Sequence, residues 1–164
     1  MGVINMTSIM LNQPVPDFEL PATSGTTFKL SNYQAMAQNK TLVLYFYPKD
    51  NTPGCTTQGM QFRDIYTDFL ACNTEIFGIS RDNLKSHENF KAKFSFPFEL
   101  LADSEELTCG IFDVIKMKNM YGKQVRGVER STFVIDKNGV LVRQWRAVKV
   151  DGHVQAVLDF VKTL

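Results

Sequence analysis

Thr41-Leu42-Val43-Leu44-Tyr45-Phe46-Tyr47-Pro48-Lys49-Asp50-Asn51-Thr52-Pro53-Gly54-Cys55 is the stretch around which the rest of this 164-residue chain falls into order. Its opening is continuously apolar after Thr41 and stops at a proline. So short and bounded a run suits a strand buried on both faces. Thr52 fits a helix N-cap, and Pro53 fits the first helical position, where its missing N–H costs nothing. A helix starting there carries Cys55 in its first turn, on the same face as Thr52. Phe62, Ile65, Tyr66 and Phe69 continue it at helical spacing, with Arg63, Asp64, Thr67 and Asp68 opposite.

Upstream, Phe18-Glu19-Leu20 and Thr27-Phe28-Lys29-Leu30 flank Ser24-Gly25 and predict an N-terminal β-hairpin. Residues 1–11 read as a flexible leader. Downstream come a strand at Glu75–Ile79, a helix at Asn83–Phe94, a strand at Phe98–Leu101 and a short helix at Glu105–Phe112. Thr132–Ile135 and Val140–Trp145 flank Asp136-Lys137-Asn138-Gly139, a second hairpin signal. A last helix opens at Asp151 as N-cap and lines up Val154, Val157, Leu158 and Val161. Alternating strand and helix units require parallel strands with helices on both faces, and the final β-β-α adds an antiparallel pair. The element order predicts one α/β domain over residues 12–164. It has a thioredoxin-like fold: a central mixed sheet flanked by helices, with the N-terminal β-hairpin as an extension.

Composition narrows the function. Eighteen basic and seventeen acidic residues leave a net charge of +1, which does not suit a nucleic-acid groove or a polybasic membrane surface. No run of eighteen apolar residues exists to span a bilayer, and no secretory signal is visible, so a cytoplasmic location is expected. Three cysteines, Cys55, Cys72 and Cys109, are an odd number without a Cys-x-x-Cys pair, so reduced thiols are expected in place of a disulfide framework. The two histidines, His87 and His153, stand in no ligand-like spacing with them, and no metal site is expected. Both histidines read as helix-surface residues without a role.

The position of Cys55 carries its chemistry. A cysteine is nucleophilic as the thiolate, and the free N–H groups of a helix N-terminus carry about half a positive charge that favours that form. The dipole is a modest contribution, so a full cation beside the sulfur is also expected. Against this stands a buried cysteine acting only as small apolar filler, and a Thr52 hydroxyl that caps its helix and does nothing else.

Pro48-x-x-x-Thr52-x-x-Cys55 resembles the active-site signature of the peroxiredoxins. The fuller Tyr45–Thr56 segment is similar to the peroxiredoxin Q branch, also called bacterioferritin comigratory protein. The likeness runs on through Gly78–Asp82, Leu101–Asp103, Lys118–Lys123 and Arg130–Asp136. The resemblance implies a thiol peroxidase for hydrogen peroxide and organic hydroperoxides, without metal, haem or flavin. It makes Cys55 the peroxidatic cysteine, whose thiolate attacks peroxide and is left as sulfenic acid. Thr52 would hydrogen-bond the peroxide, Pro48 shield the sulfur from water, and Arg130 hold the thiolate and polarise the peroxide. Gln58 would steady Arg130. A unit-charge pair about 4 Å apart at an effective dielectric near 20 interacts by roughly 4 kcal/mol, enough for Arg130 to act as the expected cation.

The chain departs from that pattern at the resolving step. Branch members carry a resolving cysteine five residues after the peroxidatic one, which is Met60 here, or on the following helix at the position of Lys91. Cys72 and Cys109 remain, and both read first as packing residues. The expectation is a one-cysteine mechanism, with thioredoxin, glutaredoxin or a small thiol as reductant and the protein a monomer. Two other classes stay open at this point: a peroxide-sensing redox relay, and a thioredoxin-fold binding domain with an inert cysteine.

Overall fold

The computed structural model describes residues 9–36 and 39–164. The leader expected over residues 1–11 therefore lies mostly outside the described residues. Its last part is not loose: the Ile9 N–H donates to the Ile111 carbonyl at 3.2 Å and its side chain packs on the core.

Nine strands and six helices follow among the described residues: β1 (Glu19–Ala22), β2 (Thr26–Lys29), α1 (Leu30–Met36), β3 (Thr41–Phe46), α2 (Pro53–Asp64), α3 (Tyr66–Ala71), β4 (Thr74–Ser80), α4 (Leu84–Phe94), β5 (Glu99–Ala102), α5 (Leu107–Ile111), β6 (Ile115–Met120), β7 (Lys123–Val128), β8 (Ser131–Ile135), β9 (Leu141–Trp145) and α6 (His153–Val161). Seven strands make one mixed sheet in the order β2-β1-β5-β4-β3-β8-β9. β3, β4 and β5 are parallel, as the crossover units require. β8 runs antiparallel to β3 and β9 antiparallel to β8. The N-terminal hairpin turns through residues 23–25, a three-residue loop with Ser24 and Gly25 at positive φ. It joins the main sheet because β1 pairs antiparallel with β5 at Ala22 and Leu101.

β3 runs through the middle and separates two cores by simple alternation. Leu42, Leu44 and Phe46 enter one cluster with Phe112, Phe133 and Cys109. Val43, Tyr45 and Tyr47 enter the other with Cys55, Phe62, Phe90 and Leu158. The second face is the aromatic one. Tyr45 stacks on Phe62 at 4.6 Å between ring centroids, and Phe96 stacks on Phe98 at 5.3 Å. A Cβ at Gly59 would come within 2.5 Å of the Phe96 ring, so that position of α2 packs against the loop after α4 only as glycine.

Several sequence expectations about the elements need correction. The stripe Phe62–Phe69 spans two helices, because Ile65 at φ −119°, ψ 22° leaves the helical region; the apolar period survives the break and so conceals it. The short helix expected over Glu105–Phe112 covers only Leu107–Ile111, since Glu106 before it sits at φ +64°. α6 is entered through Gly152 at φ +74°, not through Asp151. The antiparallel ribbon β6–β7 was not foreseen. It turns at Tyr121-Gly122, both at positive φ, and buries too little of either face to leave an alternating pattern. α1 likewise follows β2 without a loop to announce it.

Candidate active site

Where β3 ends, Tyr47 makes one more ladder bond, its N–H donating to the Ile79 carbonyl at 3.0 Å. The chain then turns through Pro48–Thr52 at the carboxyl edge of the parallel strands, the usual place for a site in an α/β sheet. Asn51 takes φ +58°. Pro53 opens α2, and the Thr56 N–H donates to the Thr52 carbonyl at 2.8 Å to start the helical ladder.

Thr52 occupies the N-cap position through its backbone alone. Its side chain makes no cap bond; the hydroxyl donates to the Lys49 carbonyl at 2.9 Å. That corrects the reading of Thr52 as a capping side chain. With its proton committed to Lys49, the oxygen keeps lone pairs that can accept from a bound O–H donor.

Cys55 lies in the first turn of α2 with 2% of its surface exposed. The cation expected beside it is Arg130, which immediately precedes β8. Its Nη2 donates to Cys55 Sγ at 3.4 Å and its Nη1 donates to Gln58 Oε1 at 2.6 Å. Gln58 sits three residues beyond Cys55, one helical turn on, so one guanidinium spans both side chains. The approach depends on Gly54, where a Cβ would stand 3.2 Å from Arg130 Nη2. The Arg130 carbonyl is itself held, accepting from the Val148 N–H at 2.9 Å. Two remote pieces of chain, the start of α2 and the residue before β8, thus meet at one sulfur.

The other two cysteines are elsewhere. Cys72 ends α3, half-buried against the aromatic core. Cys109 is fully buried in α5, in the cluster on the opposite side of the sheet from Cys55. Burial and the adjacent Asp103 carboxylate push its thiol far above the ordinary range. All three cysteines are unpaired. Met60 is half-buried against the aromatic core. Lys91 is built into the fold: its Nζ donates to the Phe96 and Phe98 carbonyls at 2.8 and 3.2 Å and lies 3.7 Å from Glu99.

Both histidines are buried, against the expectation of surface positions. His87 shares the inward face of α4 with Phe90, three residues on, a spacing visible in the sequence. Its Nδ1 lies 2.7 Å from Asp50 Oδ2 and its Nε2 2.9 Å from the Leu101 carbonyl. His153 meets the Thr132 hydroxyl at 2.8 Å and the edge of the Trp145 ring. Burial first, then the charge of Arg130, hold its pKa down to about 4. It is a neutral imidazole behind the site. Asp50, Asp82 and His87 bring ligand atoms within 4.8 Å of one another. The carbonyl of Leu101 forces a proton onto His87 Nε2, and the carboxylate oxygens already accept from protein donors. Among the described residues no helix is long and apolar enough to cross a membrane.

Comparison with known proteins agrees with this fold. Residues 11–144 match the profile of the AhpC/TSA family. A protein named Peroxiredoxin Bcp from Xanthomonas campestris pv. campestris is 49% identical over 158 residues, 96% of this chain and 97% of the relative. The Bacillus subtilis protein of the same name is 46% identical, over 96% of this chain and 98% of its own length. Among solved structures, Xanthomonas campestris Peroxiredoxin Q superposes with a TM-score of 0.83 at 49% identity, covering 89% of this chain and 90% of the other. A cysteine-to-serine mutant of Xylella fastidiosa PrxQ superposes at 0.88 with 42% identity, covering 94% and 96%. This chain belongs to the AhpC/TSA family, in its peroxiredoxin Q (Bcp) branch, and is a thiol-dependent peroxidase.

Proposed function

We propose that Cys55 is the peroxidatic cysteine of this peroxidase and that it works by a one-cysteine mechanism. The observation that carries the reading is the 3.4 Å contact between Arg130 Nη2 and Cys55 Sγ at the start of α2. A permanent cation and the helix N-terminus both favour the thiolate. The thiolate attacks one peroxide oxygen, the O–O bond breaks, and the departing oxygen takes a proton to leave as water or alcohol. Cys55 is left as sulfenic acid. Charge moves from sulfur to the leaving oxygen as this happens, so a donor fixed beforehand beside both lowers the barrier. Arg130 is that donor, steadied by Gln58. Thr52 accepts from the peroxide O–H, and Pro48, at the mouth of the loop, limits water at the sulfur.

An external thiol then attacks the sulfenic sulfur and releases water. A second thiol displaces Cys55 from the mixed disulfide. Met60 and Lys91, which stand where branch members carry a resolving cysteine, and Cys109, across the sheet, support this route. The reductant is thioredoxin, glutaredoxin or a small thiol, acting in the cytoplasm on a monomer. Substrates are hydrogen peroxide and organic hydroperoxides; a Xanthomonas campestris relative of 48% identity was solved in work on its alkyl peroxide reduction activity.

The test is peroxide consumption by wild type and Cys55→Ser with each class of reductant. Wild type should turn over repeatedly and Cys55→Ser not at all. Equal activity in the two proteins would overturn the assignment.

A further inference from the structure

The loop that presents Pro48 and Thr52 is fastened from behind by a buried polar group that the peroxidase chemistry leaves unused. Asp50 lies between those two residues, and its carboxyl group makes three side-chain bonds. Tyr47 Oη donates to Oδ1 at 2.6 Å, Ser86 Oγ donates to Oδ2 at 2.8 Å, and His87 Nδ1 meets Oδ2 at 2.7 Å. The Asp50 N–H donates to Asp82 Oδ2 at 2.9 Å, and Ser80 Oγ donates to the same oxygen at 2.5 Å. His87 is fully buried and Asp50 nearly so.

The partners of His87 make the central contact a hydrogen bond. The Leu101 carbonyl can only accept, so His87 Nε2 carries a hydrogen. Two lone pairs facing each other at 2.7 Å would repel, so a proton also lies between Nδ1 and Asp50 Oδ2. His87 therefore ties α4 and the backbone of β5 to the middle of the active-site loop. Next to Asp50, Asn51 takes the left-handed backbone that asparagine tolerates, which turns the loop sharply.

We propose that His87 and Asp50 are positioning residues for the peroxide reaction: the His87–Asp50 bond holds the Pro48–Thr52 loop where its groups meet the bound peroxide. Neither side chain hydrogen-bonds to Cys55. The inference rests on the reading of Cys55 as the peroxidatic residue. Misplacing a positioned group by about 1 Å can cost on the order of a hundredfold in rate.

Two substitutions separate positioning from bulk. His87→Asn keeps an N–H donor at the Nδ1 position, toward Asp50. His87→Gln keeps one at the Nε2 position, toward Leu101, and loses the bond to Asp50. Each is compared with wild type in the rate of Cys55 oxidation by hydrogen peroxide and in the rate of Cys55 alkylation by iodoacetamide, which needs the thiolate but no peroxide alignment. His87→Gln should slow oxidation about ten- to a hundredfold while alkylation stays within about threefold, and His87→Asn should keep both within about threefold. Oxidation at the wild-type rate in His87→Gln would overturn the proposal. So would equal losses of both reactions in both variants, the mark of a merely structural histidine. A wild type whose Cys55 fails to react with peroxide would instead remove the functional reading, and this proposal with it.

Discussion

Cys55 and Cys109 are both almost wholly buried, both in the first turns of helices, and they lie on opposite sides of one sheet. Their neighbours differ in sign. Cys55 meets the Arg130 guanidinium. Cys109 sits over Asp103, whose carboxylate accepts from the Thr108 N–H at 3.2 Å and the Cys109 N–H at 2.6 Å. An anion beside a buried thiol disfavours a second anion, and a cation favours it. Burial and helical position, which the two cysteines share, therefore do not distinguish them. The local charge does. Asp103 is already spent on holding the start of α5, so Cys109 is a packing residue in a structural corner.

The largest expected effect comes from erasing that difference. Arg130→Met should lower the rate of Cys55 oxidation by peroxide about 10²- to 10³-fold, as for loss of a fixed donor at a developing charge. Stopped-flow oxidation of the reduced protein checks it. A loss of less than about threefold would mean that the guanidinium is incidental.

A smaller effect should follow from crowding the same contact. The added Cβ of Gly54→Ala would stand 3.2 Å from Arg130 Nη2, so the guanidinium must give by a few tenths of an ångström. Oxidation should slow by about three- to tenfold, with Gln58 still bound to Arg130 Nη1. The same stopped-flow assay reads it.

The smallest effect concerns stability. His153 titrates near 4 in the folded chain and near 6.5 when unfolded. Between those values the unfolded chain binds more protons, so stability falls as pH drops from about 6.5 toward 4 and is level above. Denaturant melts across that window should show the decline, and His153→Gln should flatten it. A slope unchanged in His153→Gln would place the titrating group elsewhere.

The Pro48–Cys55 part of the candidate site was legible because it is written locally. Pro48, Thr52, Pro53 and Cys55 share one strand–turn–helix junction, and Arg130 followed from the resemblance at Arg130–Asp136. The β3 run and the crossover order likewise gave the sheet, since buried parallel strands have their own composition. What supports the site was not legible. Asp50 and His87 are 37 residues apart, and only the fold brings α4 against the loop after β3. A histidine in an otherwise polar-looking helix offers no sign that its ring points inward, apart from its spacing to Phe90. Thr52 misled for a related reason: its residue type fits a cap, while the backbone of the loop offers the Lys49 carbonyl first. The β6–β7 ribbon escaped notice because a ribbon exposed on both faces has no apolar period to detect.

One measurement bears most directly on the difference between the two sulfurs. Reduced protein is given a single equivalent of hydrogen peroxide in the presence of a sulfenic-acid trap, then digested and mapped by mass. The adduct is expected on the peptide containing Cys55, with Cys109 and Cys72 still thiols. An adduct on Cys109, or an untrapped product two hydrogens lighter with Cys55 in a disulfide, would contradict it.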